Sequence, residues 1–190
     1  MKNKNQLILF GSFLPFCWLG FMAVHELGHV LAAVGTGGQV QKVVVHPLAI
    51  SRTDIQPNPS PLVTVWAGPL VGVVLPIAIW ACFKLFKWSC EFLARFFAGF
   101  CCVANGGYIG VGSFERIGDA GAMLSHGSAI WALWIFGIVC AVVGFWLWHG
   151  QGAKFGLGQG KGQVDERAAY VSLTLFVVLY VATFAFSPRF

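Results

Sequence analysis

Leu7 to Val24, LILFGSFLPFCWLGFMAV, carries no charge and runs directly into His25-Glu26-Leu27-Gly28-His29. An uncharged apolar run of this length reads as a membrane-spanning helix, because about 20 helical residues cross the hydrocarbon core. If the helix continues through HELGH, residues four apart share a face. His25 and His29 can then point their imidazoles at one ion while Glu26 stands beside it. Two nitrogen ligands and a carboxylate able to take a proton from water are the parts of a zinc hydrolase.

Two plainer explanations compete for the motif. With five His and seven acidic residues in the chain, a chance H-E-x-x-H arises on the order of a few times per thousand such chains. The other is a pair of structural histidines bonded to backbone carbonyls, which suits an isolated intramembrane His. Three ionisable residues within five positions of a lipid-spanning segment, however, each cost roughly a few kcal/mol unless they share a partner. A divalent cation compensates all three.

The composition leads to the membrane independently. The chain is 57% hydrophobic and 10% charged with mean hydropathy +0.76, leaving too little polar surface for a soluble globule. Further uncharged runs at Leu62 to Phe83, Phe96 to Val111, Ser128 to Trp148 and Ala168 to Phe186 predict an all-α integral membrane protein with about five transmembrane helices, multi-pass in the cell membrane. The Phe96 to Val111 run is the shortest; it either extends back through Phe92 to Arg95 or unwinds near Gly106, Gly107 and Gly110. Lys2 and Lys4 before an apolar run invite a signal-peptide reading, but the run is too long for one and leads straight into HELGH. Pro15 is expected to bend the first helix, not end it. Six cysteines lie mostly within or beside apolar runs without C-x-x-C spacing and read as small buried hydrophobes.

Between the first two spans, Gly35 to Gly38 closes the helix, Gln39 to Val45 is rich in valine, and Pro57, Pro59 and Pro61 lead into the next span. A short membrane-associated β-hairpin or loop is expected here, near the motif. The glycine-rich tract Gly150 to Gly162 has neither a preceding strand nor a G-K-[ST] ending and reads as a connector. The formal charge of +5, with Lys154, Lys161 and Arg167 near that tract, fits anionic lipid headgroups better than nucleic acid.

A catalytic zinc usually has three protein ligands and an open position. For the third, the chain offers Asp119, Glu115, His126, Asp54, His46, Glu91, Asp165 and Glu166. Asp119 is the strongest, since Gly118 and Gly121 let the backbone carry its carboxylate close to another helix. A helix cap in a solvated loop is the alternative for Asp119.

HELGH, Trp66-Ala-Gly-Pro-Leu-Val-Gly72 at the second span, and a later aspartate beside glycines together resemble the site-2 proteases, the intramembrane zinc metalloproteases. The resemblance covers roughly residues 7 to 125. It implies that His25, His29 and Asp119 are Zn2+ ligands and Glu26 the general base, and that the reaction is endopeptidic cleavage of membrane-protein or peptide substrates. It divides the chain into a metalloprotease core, residues 1–125, and two added spans joined by the glycine-rich loop, residues 126–190, with no stretch left for a PDZ-like domain. The family's third-ligand motif reads N-x-x-P-x-x-x-L-D-G; here Asn105 precedes Asp119 by fourteen positions, no proline intervenes, and Gly118-Asp119-Ala120 replaces L-D-G. Asn105 takes the family asparagine's role of hydrogen-bonding a substrate backbone, or else bridges two helices as a buried amide.

Orientation is read two ways. Eight basic residues, Lys2, Lys4, Lys84, Lys87, Arg95, Lys154, Lys161 and Arg167, share the side of the N-terminus against Lys42, Arg52, Arg116 and Arg189 opposite, so the positive-inside rule places the N-terminus in the cytoplasm. The resemblance implies a site toward the cytoplasm, which needs the reverse. Two other classes remain: a membrane metallopeptidase using Glu115 or Glu166 as third ligand, and a catalytically silent zinc-binding scaffold. The sequence gives no oligomeric state.

Overall fold

The computed structural model describes residues 2–47 and 49–186. Six helices dominate: α1 (Lys2–Gly35), α2 (Pro61–Leu85), α3 (Glu91–Glu115), α4 (Gly118–Ser125), α5 (Ile130–Trp148) and α6 (Glu166–Phe186). All but α4 are long and apolar enough to cross a bilayer. This is a multi-pass, all-α membrane protein. A small hairpin, β1 (Val40–Val44) and β2 (Arg52–Ile55), joins α1 to α2, and two short 3-10 turns occupy the glycine-rich tract.

Each break in the chain has a local cause. The first helix runs unbroken through Pro15 and stops where Gly37 takes a left-handed φ of 79° and Gly38 N–H bonds back to the Ala33 carbonyl. In the antiparallel hairpin Lys42 faces Asp54, Val43 faces Thr53 and Val44 faces Arg52. Pro61 opens α2 at a position where the missing N–H costs no helix bond.

The shortest apolar run resolves in favour of extension. The third helix starts at Glu91 and stays helical past Gly106, Gly107 and Gly110. Its glycines serve packing: a Cβ on Gly106 would strike Cys140 and the Gly137 carbonyl, and one on Gly99 would strike Trp148 and the Gly144 carbonyl. Without a hydrophobic drive between helices in lipid, such close backbone approach is what holds α3 to α5. Replacing Gly106 by Leu is therefore expected to lower the thermal unfolding midpoint in detergent, whereas Gly107→Leu, at a glycine facing open space, should leave it nearly unchanged.

The last helix packs on α1 through Ala168 and Ala169, both fully buried, and through the Ser12 and Ser172 hydroxyls, 2.7 Å apart. On α5, Trp131, Ile135, Ile138, Val142 and Phe145 form one exposed stripe, a surface suited to lipid tails. The glycine-rich tract closes over the start of α1, where Gln6 donates to the Phe155 carbonyl at 3.0 Å and Phe13 stacks on Phe155. Gln6 and Phe13 precede His25 on the same helix, so at about 1.5 Å per residue the tract meets α1 roughly 18–28 Å from the motif.

Candidate metal centre

His25 and His29 lie one turn apart on α1, buried against α2. The close approach depends on two missing side chains: a Cβ on Gly28 would enter the Ala67 carbonyl, and a Cβ on Gly68 would enter the His29 imidazole. The WAGPLVG segment thus supplies the gap that the two rings fill. Gly68→Ala is expected to displace His29 and weaken the cluster's hold on a divalent cation, measured by competition with a chromophoric chelator.

Asp119 reaches the histidines by a sharp reversal after α3. Arg116 ends α3 in the left-handed region (φ 54°), and Gly118, also left-handed (φ 53°), starts α4. Gly121 then packs against the Arg116 carbonyl, where a Cβ would not fit. Ala120 and Met123 anchor the other face of α4 in an apolar cluster with Val65, Ile109 and Leu133. The carboxylate is left facing the histidines.

The three side chains converge. Asp119 Oδ2 lies 2.7 Å from His25 Nε2 and 3.2 Å from His29 Nε2, and the two Nε2 atoms are 3.1 Å apart. The far nitrogens are also engaged: His29 Nδ1 donates to the Thr64 carbonyl at 2.9 Å, and His25 Nδ1 donates to Asn105 Oδ1 at 2.8 Å. Asn105 in turn donates its Nδ2 to the Cys101 carbonyl at 2.9 Å, which fixes the orientation of its amide. With both Nδ1 atoms protonated, both Nε2 atoms carry lone pairs. Three electron-pair donors at one point, with neutral imidazoles behind a carboxylate, fit a divalent cation.

Glu26 is 2% exposed, and its Oε2 accepts a hydrogen bond from Thr53 Oγ1 at 2.7 Å. The hairpin therefore docks on the motif through β2. A cleft of about 780 Å³ opens beside the cluster, lined by Trp18, Phe21 and Met22 of α1, Ile50 and Thr53 around the hairpin, and Tyr108, Asp119 and His126 of the α3–α4 side.

The remaining candidates lie outside the cluster. Asp54 is paired with Arg52 at 3.4 Å, His46 stacks edge-on against Phe184, and Glu115 is exposed at the end of α3. Glu91 accepts from Trp80 Nε1 at 2.5 Å, Asp165 caps α6 through the Arg167 and Ala168 amides, and Glu166 begins that helix. His126 reaches the rim of the cleft, its Nδ1 bonded to the Ala122 carbonyl at 2.8 Å. Asn105 is fully buried, does not line the cleft and joins α3 to His25 of α1. Sequence reading passed over Tyr108, whose hydroxyl accepts from the Asp119 backbone N–H at 3.2 Å; its spacing of three from Asn105 was the available signal.

Residues 12–104 match the model of the family described as Peptidase M50B-like. The match supports a member of the site-2 protease family. The matched segment of the M50B-like chain includes HELGH and WAGPLVG and ends just before Asn105, so Asn105 and Asp119 are tied to the site by geometry alone. No curated protein and no solved structure matches the chain.

Proposed function

We propose that this M50B-like chain is a zinc-dependent intramembrane endopeptidase. The observation that carries the reading is the convergence of His25 Nε2, His29 Nε2 and Asp119 Oδ2, with Glu26 beside them. Zinc held there would polarise the scissile carbonyl and make water a better nucleophile near neutral pH. His25, His29 and Asp119 hold the ion, while Asn105 and the Thr64 carbonyl keep the two imidazoles in the tautomer that ligation requires. Glu26 takes a proton from the attacking water and delivers it to the departing amide nitrogen, so the carbonyl carbon gains hydroxyl and the nitrogen gains hydrogen. Thr53, donating to Glu26, orients that carboxylate.

The substrate class follows from the cleft. Trp18, Phe21 and Met22 of the first span and Ile50 of the hairpin loop offer apolar walls, which suits a segment of a membrane protein. Such a segment must be locally unwound, because a helix commits its carbonyls to its own hydrogen bonds. Glu115 and Glu166 stand outside the cluster, which favours Asp119 over a glutamate third ligand.

The test is hydrolysis of an apolar single-span peptide by the protein in lipid nanodiscs. Cleavage that a chelator abolishes and zinc restores supports the proposal; cleavage indifferent to chelation, or none with one zinc bound, overturns it. Removing the His25 support is a milder perturbation. Asn105→Ala should weaken zinc binding by roughly 10–100-fold, the usual cost of losing such a partner, and unchanged affinity would deny Asn105 its orienting role.

On orientation, the charge distribution over five full spans favours a cytoplasmic N-terminus, with the hairpin and Asp119 on the opposite side. An N-terminal epitope tag should then be protected from protease in vesicles sealed with the cytoplasmic face inward. Digestion there would reverse the arrangement.

A further inference from the structure

We propose that Tyr108 is a catalytic residue that hydrogen-bonds the substrate carbonyl oxygen as negative charge develops on it, a role that rests on the peptidase reading above. Its hydroxyl oxygen accepts the Asp119 N–H at 3.2 Å, which places the hydroxyl at the edge of the cluster formed by His25, His29 and Asp119. The ring stands edge-on to the His25 imidazole with centroids 5.7 Å apart, so the phenol is braced on both sides. Gly118 leaves the room for it: a Cβ there would collide with the Tyr108 hydroxyl.

The hydroxyl proton is the deciding feature. Among the described residues the oxygen serves only as an acceptor, and no protein acceptor meets the proton. A phenol held in this way donates into the adjoining cleft, which it lines together with Glu26. The two groups approach from different sides, Glu26 braced by the hairpin through Thr53 and Tyr108 by the start of α4. As water adds to the peptide carbon, the carbonyl π pair moves onto oxygen and the Tyr108 O–H strengthens its hydrogen bond to that oxygen. Tyr108 keeps its proton throughout; the proton that reaches the leaving nitrogen comes from water by way of Glu26. A donor fixed in advance where charge appears stabilises the transition state more than the ground state.

Tyr108→Phe tests this, read in three ways on the zinc-loaded protein and on the same protein during zinc titration. The expected result is a kcat about 10²–10³-fold lower, the usual cost of removing one such donor, with KM nearly unchanged. Affinity for a phosphinic peptide, which mimics the tetrahedral geometry, should fall by a similar factor in a direct binding measurement, while zinc affinity stays at the wild-type value. Weakened zinc affinity that accounts for the lost activity would make Tyr108 a support for Asp119 and overturn the proposal. So would a kcat within a few-fold of wild type, or phosphinic-peptide binding that does not change. An inactive wild type with one zinc bound would instead fail the peptidase reading itself, which separates the two ideas.

Discussion

Glu26→Gln is expected to abolish peptide hydrolysis while leaving zinc bound. The carboxylate is not among the three converging donors, so its replacement removes no ligand. Glutamine is nearly the same size, and its Oε1 can still accept the Thr53 hydroxyl that Glu26 receives at 2.7 Å. Lost is only a base able to take a proton from water and return it to the amine. Positioned general acid–base groups contribute about 10²–10⁴-fold, and one carboxylate here serves both transfers, so a loss toward the upper end is expected in kcat/KM. Zinc content measured on the same preparation should match wild type. Activity within tenfold of wild type would remove Glu26 from the mechanism.

The second large effect is at the histidines. His25→Ala and His29→Ala should each weaken zinc binding by more than ~100-fold, beyond the range seen when only a supporting partner is lost. His25 loss carries a further consequence, because Asn105 Oδ1, fully buried, loses the Nδ1–H that it accepts. An unsatisfied buried acceptor costs roughly 1–3 kcal/mol, so His25→Ala should also unfold at a lower temperature than His29→Ala. The Thr64 carbonyl bonded by His29 belongs to a helical backbone and retains other partners. Equal stability of the two variants would contradict this ordering.

The first helix and its motif were legible because helical spacing alone puts His25 and His29 on one face, and the spans because lipid tolerates little charge. The hairpin showed in its valines and prolines, but not its contact with Glu26, which depends on how β2 folds back onto α1 through Thr53. Asp119 was one candidate among eight. Its selection needs the left-handed turn at Arg116 and Gly118 and the apolar anchoring of Ala120 and Met123, none of which leaves a periodic trace. The glycines of α3 were ambiguous between unwinding and packing, since the deciding partners, Gly137, Cys140 and Gly144, come from α5. Tyr108 left only its spacing of three from Asn105 on an apolar helix, and its place at the site depends on the Asp119 N–H that meets its hydroxyl.

Zinc stoichiometry and affinity of the purified full chain, wild type beside Asp119→Ala, test the central claim most directly. One zinc per chain in the wild type and a large loss of affinity in the variant is the result predicted by the convergence of Asp119 Oδ2 with both imidazoles. Wild-type affinity in Asp119→Ala, or no zinc in the wild type even after metal is supplied, would contradict it.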